Sequence, residues 1–191
     1  MRREELELAI ATAARIVQQD RVLVIGSQAI LGSYSEDVLP ERATMSREAD
    51  IAPLEDDAQE SLATRIDVLV GEWSPFDDEH GFYVQGVSVR TAYLPEGWAE
   101  RVVRVEVEGG STGLCLEPHD LCAAKLGRND IKDKEFVHAL ITAGLIDPTL
   151  LGTRFEAIAD QRLEGARRVA VRSFLRSYVD GRTVGEREDR A

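Results

Sequence analysis

The sequence predicts a mixed α/β region followed by an all-helical lobe. Short β-branched runs alternate with helical segments over residues 1–116, and the apolar spacing becomes helical from Glu117-Pro118 onward. A chain of 191 residues with 43% hydrophobic residues can bury the core of one ordinary domain. We therefore predict an α/β core at residues 1–116, a helical lobe at 117–180 and a frayed tail at 181–191.

The first half of the core is predicted to contain a helix, two strands and a loop. Apolar residues recur at helical spacing over residues 4–19. RVLVI at 21–25 is short and β-branched, as buried strands are, and SQAILGS then suits one or two helical turns with Ser27 as N-cap. The segment 34–46 is polar and irregular and is predicted to be a surface loop, and EADIAPL at 48–54 is predicted to be a strand.

The second half of the core is predicted to contain a helix and two further strands. The helix covers residues 56–72, with Asp57 and Glu60 placed as in a capping box. FYVQGVSVRTAY at 82–93 and RVVRVEVE at 101–108 alternate in polarity and are predicted to be strands. The helices of the lobe are predicted at residues 118–127, 131–143, 148–159 and 161–180.

The charge of the chain is unevenly distributed. The net charge is −12, which argues against a general basic surface for nucleic acid. Residues 1–120 hold 10 basic and 24 acidic side chains, whereas residues 121–191 hold 13 basic and 11 acidic ones. One C-terminal segment is locally basic and is either a solvated helical face or a surface that binds phosphates. Its arginines are Arg162, Arg167, Arg168, Arg172 and Arg176.

Several classes of protein are excluded by what the sequence lacks. No stretch approaches the roughly 18–20 apolar residues of a membrane span, and acids occupy the N-terminal positions where a signal peptide is basic, so we expect a cytoplasmic protein. Cys115 and Cys122 are expected to be reduced thiols. The histidines lack metal-ligand spacing, and Ser27 lacks a G-x-S-x-G context, which argues against zinc and serine hydrolases.

Two short motifs are candidates for chemistry. Gly26-Ser27 follows a strand and begins a helix, which offers backbone N–H groups and a hydroxyl to a phosphate. A glycine that the backbone needs for an unusual φ or for close packing explains it equally well. Glu48 and Asp50 lie two apart in a strand and therefore share one face. A magnesium ion would relieve their repulsion, and an ordinary acidic edge is the alternative explanation.

The order of these motifs is more specific than either motif alone. A strand ending in Gly-Ser, a short helix, a loop and a strand with paired acids is the opening pattern of polymerase-beta-like nucleotidyltransferases. The sequence resembles the AbiEii-type nucleotidyltransferases, which include toxins of bacterial toxin-antitoxin pairs. The segment LEPHDLCAAKLGRNDIKDKEFVHAL supplies Lys125, Arg128, Lys132 and Asp133 in the order of that group. The resemblance covers residues 20–145.

The resemblance implies a mixed sheet with flanking helices and a Mg²⁺-dependent transfer of a nucleoside monophosphate from a nucleoside triphosphate, with Mn²⁺ as a possible substitute. Glu48 and Asp50 would be metal ligands, and Gly26 and Ser27 would hold the β- and γ-phosphates. The ammonium of Lys125, together with Arg128 one turn along the helix, would contact the triphosphate.

Other assignments stay open at the level of sequence. Asp133 either orients Lys125 or Arg128 or is a surface residue, and Glu106 is either a third acid that acts as general base or an outward-facing strand residue. The acceptor implied by some relatives is the 3′ end of tRNA, and the acidic face could bind a basic antitoxin. The alternative function is a catalytically inactive module of the same fold that binds a nucleotide or a protein partner.

Overall fold

A five-stranded mixed sheet forms the centre of the protein, with helices packed around it. The computed structural model describes residues 1–163 and 165–188. The strands are β1 (Arg21–Val24), β2 (Glu48–Pro53), β3 (Tyr83–Gly86), β4 (Val103–Glu106) and β5 (Thr112–Cys115). The helices are α1 (Arg3–Val17), α2 (Glu41–Thr44), α3 (Ser61–Val70), α4 (Pro75–His80), α5 (Pro118–Arg128), α6 (Ile131–Thr142), α7 (Pro148–Glu156) and α8 (Gly165–Glu188).

The sheet has the strand order β3-β2-β1-β5-β4. β1 pairs antiparallel with β2 and parallel with β5, β2 pairs parallel with β3, and β4 pairs antiparallel with β5. β1 is therefore the central strand, and the side chains of Val22, Leu23 and Val24 are almost completely buried. The predicted fold class, a mixed α/β sheet with flanking helices followed by C-terminal helices, is confirmed.

The strand β5 was not predicted. Its sequence is TGLC, and three of its four residues are buried because β5 lies between β1 and β4 with helices over it. A strand that is covered on both faces shows no alternation of polar and apolar residues, and the glycine further weakens the signal. Because the alternation is absent, the sequence pattern did not predict this strand.

Several predicted element boundaries are wrong. The strand predicted at 82–93 ends at Gly86, and a 3-10 helix, Val89–Thr91, follows with the Ser88 hydroxyl accepting a bond from the Arg90 N–H. The turns after β1 form a 3-10 helix, Ser27–Gly32, in which Gly26 and not Ser27 is the N-cap. Part of the predicted loop at 34–46 is the short helix α2.

The predicted capping box of α3 is also wrong. The helix begins at Ser61, and the N-cap residue Glu60 has a left-handed backbone with no side-chain capping bond. The Asp56 carboxylate accepts bonds from the N–H groups of Leu62 and Ala63 at 3.0 and 2.9 Å, and Asp57 Oδ1 accepts one from the Ser61 N–H at 3.0 Å. Asp56 lies outside the four-residue pattern by which a capping box is recognised.

The helices of the C-terminal part pack against one another, and α5 also contacts the 3-10 helix that follows β1. The predicted N-cap Asp147 is confirmed, because its carboxylate accepts bonds from the N–H groups of Thr149 and Leu150. The last helix begins at Gly165, four residues later than predicted. The predicted frayed tail at 181–191 falls on side chains that are not described, and residues 189–191 lie outside the described residues. The boundary between core and lobe at residue 116 stays a prediction.

Two further expectations concern thiols and membranes. Cys115 and Cys122 are free and buried, as predicted. Burial raises the pKa of the Cys115 thiol to about 12. Among the described helices, none combines the length and the apolar character that crossing a bilayer would require.

A pair of glycine substitutions tests the packing of α3 on β3. A Cβ at Gly86 would lie 1.8 Å from the carbonyl oxygen of Ala63, which is backbone and cannot move aside. We expect Gly86→Ala to lower the free energy of unfolding by about 3 kcal/mol. The control Gly152→Ala, in α7, places its Cβ 3.9 Å from its nearest neighbour and should stabilise the protein by about 0.5–1 kcal/mol through helix propensity. Urea unfolding measures both, and equal effects would contradict the predicted contact.

Candidate functional site

The paired acids lie at the start of β2, beside the turn that follows β1. Glu48 and Asp50 occupy one face of the strand, and the intervening Ala49 is buried on the other, as predicted. The antiparallel pairing aligns Val24 with Ile51, and the N–H of Ile25 donates to the carbonyl oxygen of Asp50 at 3.1 Å. The sheet therefore holds the Gly-Ser turn directly against the acid pair.

Gly26 is required by this close approach. A Cβ at Gly26 would lie 1.7 Å from Oδ2 and 2.7 Å from Cβ of Asp50. The backbone angles of Gly26, φ −83° and ψ −173°, are extended and open to any residue. Of the explanations left open by the sequence, the structure shows close packing, because the glycine makes room for the Asp50 carboxylate. A role of Gly26 in binding phosphate stays a prediction.

The two carboxyl groups of the acid pair interact strongly with each other. Burial is the largest cause that raises the pKa of Asp50 to about 7, followed by the charge of Glu48 and a hydrogen bond with it. Glu48 also accepts a bond of 3.1 Å from the Tyr83 hydroxyl. Burial and then the charge of Glu48 raise the pKa of Tyr83 to about 12, so this hydroxyl remains a donor. The pair thus carries negative charge that a cation between the carboxylates would stabilise.

A buried ion-pair cluster faces the acids from α5 and α6. Asp133 accepts a bond of 3.0 Å from Lys125 Nζ and bonds of 2.9 and 2.8 Å from the guanidinium of Arg128. The Asp133 and Lys125 side chains are only 5% and 6% exposed. Burial alone would raise the pKa of Asp133, but the bonds from Arg128 and the charge of Lys125 hold it below its usual value. Of the two open alternatives, Asp133 is the residue that orients Lys125 and Arg128.

Two cavities flank the acid pair, and Glu48, Asp50, Lys125 and Arg128 line both. One has a volume of about 440 Å³ and is called the basic cavity here; its further polar residues include Ser27, Arg42, Ser46, Lys132 and Asp133. The other has a volume of about 220 Å³ and is called the neutral cavity; its further residues include Ile25, Gly26, Gln85, Val87, Thr91 and Ala92. All candidate residues except Glu106 therefore surround one cleft.

Glu106 lies away from this cleft. It pairs in register with Thr112, whose hydroxyl donates to the Glu106 carboxylate at 2.8 Å. Thr112 is in turn aligned with Arg21 at the start of β1, about 10 Å along the sheet from the Val24 end. The structure therefore does not place Glu106 with the other acids. Because β4 runs antiparallel to β5, its first residue and not its last reaches the end of the sheet where the acids lie.

Several cleft residues were not identified from the sequence. Tyr83 and Gln85 lie opposite Glu48 and Asp50 on the neighbouring strand. Their spacing of two in a predicted strand was visible, but the register that aligns them with the acids was not. Arg42 and Ser46 come from the segment that was predicted to be a loop. No sequence signal connected that segment to the cleft.

The arginines at the start of α8 are largely bound within the protein. Arg167 donates to the Tyr93 hydroxyl and the Gly127 carbonyl oxygen. Arg168 donates to the carbonyl oxygens of Ile158 and Leu163, and Arg172 pairs with Glu156. These contacts favour a structural role for this part of the basic segment over a free phosphate-binding surface.

The residues of the cleft fit a magnesium ion. In the part of the chain that the structure describes, no group of three or more His, Cys, Asp or Glu side chains is arranged to hold a metal. Mg²⁺ is nevertheless commonly bound by one or two carboxylates together with substrate phosphates. Glu48 and Asp50 supply two carboxylates for such a site, and the cations across the cleft would bind the phosphates. The His119 ring contacts Glu117 and the N–H of Asp147, which is a structural role.

A comparison with protein families gives the class of protein, a nucleotidyltransferase. The chain belongs to a family described as nucleotidyltransferases of unknown function (DUF6036), whose family model matches residues 4–181. Comparisons with curated proteins and with solved structures gave no match. The match supports a nucleotidyltransferase family without singling out the AbiEii-type group.

Removal of Asp133 tests the ion-pair cluster. Asp133→Ala leaves the buried ammonium of Lys125 without its carboxylate, and we expect a loss of about 3–5 kcal/mol in the free energy of unfolding. The control Glu156→Ala breaks the exposed pair with Arg172 and should cost at most about 1 kcal/mol. Urea unfolding at neutral pH measures the difference, and equal losses in the two variants would be inconsistent with a buried cluster.

The same variant has a predicted pH dependence. The pKa of Asp133 in the folded protein lies below its ordinary value of 3.8, so its stabilising effect is complete above that value and disappears as the pH falls through the folded pKa. The gap in stability between wild type and Asp133→Ala should be constant above about pH 5 and should narrow below about pH 4. A gap that widened in acid would contradict the assignment.

Substitution of Gly26 tests the link between the turn and the acid pair. In Gly26→Ala the new methyl group occupies the position of the Asp50 carboxylate, which must move. We expect the affinity for Mn²⁺ in the presence of a non-hydrolysable nucleoside triphosphate to fall about tenfold or more. The control Gly165→Ala, whose Cβ meets nothing within 4 Å, should bind Mn²⁺ like wild type. Titration calorimetry compares the three proteins, and an unchanged affinity in Gly26→Ala would refute the link.

Proposed function

We propose that the protein transfers a nucleoside monophosphate from a nucleoside triphosphate to an acceptor hydroxyl and releases pyrophosphate, with Mg²⁺ or Mn²⁺ as cofactor. The observation that supports this function is the convergence of Glu48, Asp50, Lys125 and Arg128 on one cleft beside the Gly26-Ser27 turn. Membership of a nucleotidyltransferase family agrees with this chemistry.

Each side of the cleft has a distinct task in the proposed reaction. Glu48 and Asp50 hold the divalent cation, which when bound neutralises charge on the phosphoryl group that is transferred. Tyr83 holds Glu48 in place through its 3.1 Å hydrogen bond. Ser27 and Ser46 present hydroxyl groups to phosphate oxygens in the basic cavity.

The cations across the cleft bind the triphosphate. Lys125 and Arg128 are fixed by Asp133 before any ligand arrives, so little side-chain freedom is lost when phosphates bind. Lys132 also lines the basic cavity, and within the described residues its ammonium has no ion-pair partner. Lys132 is therefore free to pair with the β- or γ-phosphate.

A more specific role rests on the resemblance to the AbiEii-type group. We propose on that ground a toxin-like enzyme, with the 3′ end of tRNA as a candidate acceptor and a basic antitoxin as a candidate partner. The arginines of α8 give this acceptor little support, because Arg167, Arg168 and Arg172 bind groups within the protein. Reversing their charges would disturb the fold as well as any RNA contact.

A second candidate function is a module that binds a nucleotide without transferring it. Among the residues that line the two cavities, the acids beyond Glu48 and Asp50 are limited to Asp133, which is engaged by Lys125 and Arg128. A carboxylate that could act as general base for the acceptor is therefore not evident in the lining. This observation favours the second function, in which the fold is kept without the transfer reaction.

The function is tested with Asp50→Ala. Wild type is incubated with Mg²⁺, each α-labelled nucleoside triphosphate and an extract that supplies acceptors, and we expect transfer of label with release of pyrophosphate. Loss of Asp50 removes a contribution of several kcal/mol, so transfer should fall at least about 100-fold. The control Glu106→Gln, away from the cleft, should transfer normally. Nucleotide binding by wild type without any transfer would support the module instead.

A further inference from the structure

The two cavities beside the acid pair differ in charge. The residues that belong to the basic cavity alone include the cations Arg42 and Lys132 and the anion Asp133, which is already bonded to Lys125 and Arg128. Those of the neutral cavity alone are apolar or uncharged, with Gln85 and Thr91 as its polar side chains. Arg42 pairs with Glu135, and Lys132 has no such partner among the described residues. The cleft therefore presents one cationic side and one neutral side to a ligand at Glu48 and Asp50.

The geometry of phosphoryl transfer assigns a different substrate to each side. The acceptor oxygen forms a bond to the α-phosphorus, and the bond from the α-phosphorus to the oxygen that bridges to the β-phosphate breaks. The entering and leaving oxygens lie roughly in line on opposite sides of the phosphorus. If the α-phosphorus lies beside Glu48 and Asp50, the highly charged pyrophosphate leaves on the side with the cations, and the acceptor must enter from the other side.

Gln85 is placed to contact an acceptor that enters in this way. It lies opposite Asp50 in the register of β2 and β3, and neighbouring strands are about 4.8 Å apart. Tyr83, two residues earlier on the same face, already reaches Glu48 with its hydroxyl. Within the described residues, the Gln85 amide makes no side-chain hydrogen bond. Its carbonyl oxygen and its NH₂ group are both available to a hydroxyl.

Thr91 is the second uncharged polar side chain that lines the neutral cavity. Its hydroxyl donates to the Ser88 carbonyl oxygen at 2.7 Å, which leaves its lone pairs free to accept a bond. The remaining lining, including Ile25, Val87 and Ala92, is apolar. The cavity therefore suits a hydroxyl on a small, largely uncharged group.

The surface next to the neutral cavity disfavours an acceptor rich in phosphate. A neighbouring groove shares Val87 with the cavity and is lined by three carboxylates, those of Asp56, Asp57 and Glu60, and by the single cation Arg90. Phosphates close to the reacting hydroxyl would meet this net negative charge. A hydroxyl of a protein side chain or of a neutral or cationic small molecule would not.

On the basis of the proposed function, we propose that the neutral cavity is the acceptor subsite, that Gln85 binds the attacking hydroxyl, and that this hydroxyl belongs to an acceptor without neighbouring phosphates, in place of the tRNA 3′ end that the resemblance alone suggests. The acceptor oxygen replaces pyrophosphate on the α-phosphorus, and the hydroxyl proton passes to solvent. The nucleotide is held on the other side by Lys132 and the residues of the basic cavity.

The first test separates nucleotide binding from transfer. Gln85→Ala should leave the Kd for a fluorescent, non-hydrolysable nucleoside triphosphate with Mg²⁺ within about twofold of wild type, because the residue does not touch the triphosphate. Transfer at saturating nucleotide should fall about tenfold, the loss of one hydrogen bond to the reacting group. Lys132→Ala should show the opposite pattern, with a Kd raised about fivefold and a smaller loss of transfer at saturation.

Two control variants test whether these effects are specific to residues that line the cavities. Gln161→Ala and Lys134→Ala change the same residue types outside both cavities and should behave like wild type. If Gln85→Ala raises the Kd for nucleotide as much as Lys132→Ala does, the neutral cavity holds the nucleoside and the inference is wrong. If wild type binds no nucleotide, the proposed function itself has failed, which this assay distinguishes from failure of the acceptor subsite.

The second test identifies the acceptor class. Wild type and Gln85→Ala are incubated with Mg²⁺ and α-labelled nucleoside triphosphate in three separate acceptor pools: nuclease-treated protein, deproteinised small molecules and purified total RNA. We expect label in the protein pool or in the small-molecule pool, and the pool that is labelled distinguishes these two sources. Label in RNA alone would overturn the assignment. Binding of nucleotide with no label in any pool would overturn the transferase function and the acceptor subsite together.

Discussion

The close approach of Gly26 to Asp50 is the constraint on which the cleft depends. The antiparallel pairing brings the end of β1 against the middle of β2. The Asp50 carboxylate occupies the space that a side chain at position 26 would need. This contact fixes the distance between the turn and the acid pair. Because the sheet sets this distance, a phosphate bound beside Ser27 and a cation bound beside Asp50 would lie next to each other, and no loop would have to move.

Charge balance is the second constraint. Two carboxylates on β2 face two cations on α5, but Lys125 and Arg128 form their hydrogen bonds with Asp133 from α6. Burial, and then the charge of Glu48, raise the pKa of Asp50 to about 7 even though the charges of Lys125 and Arg128 act in the opposite direction. In the proposed function, such a cleft would gain stability from a ligand that carries both a divalent cation and several anionic oxygens, as a magnesium nucleoside triphosphate does.

The sequence predicted the parts of the cleft that depend on local spacing. Glu48 and Asp50 share a face because side chains two apart in a strand must do so, and Lys125 and Arg128 share a face because they lie one turn apart in a helix. The position of Glu106 stayed open and Gln85 was missed for a common reason: strand direction and register are properties of pairing between distant segments. The register places Gln85 beside Asp50, and the direction of β4 carries Glu106 to the far end of the sheet.

This division has a consequence for specificity. The proposed nucleotide side, from Gly26-Ser27 to Lys132, lies in the motifs that carry the resemblance to polymerase-beta-like nucleotidyltransferases, whereas the neutral cavity takes its polar side chains from β3 and the 3-10 helix after it. That segment contacts the acids through strand register and through the Tyr83–Glu48 hydrogen bond. Gln85 and the 3-10 helix can change without removing that bond, and β3 is an edge strand whose outer side is unpaired with any other strand of the described sheet. In the proposed function, nucleotide binding and the choice of acceptor would therefore be located in separate parts of the fold.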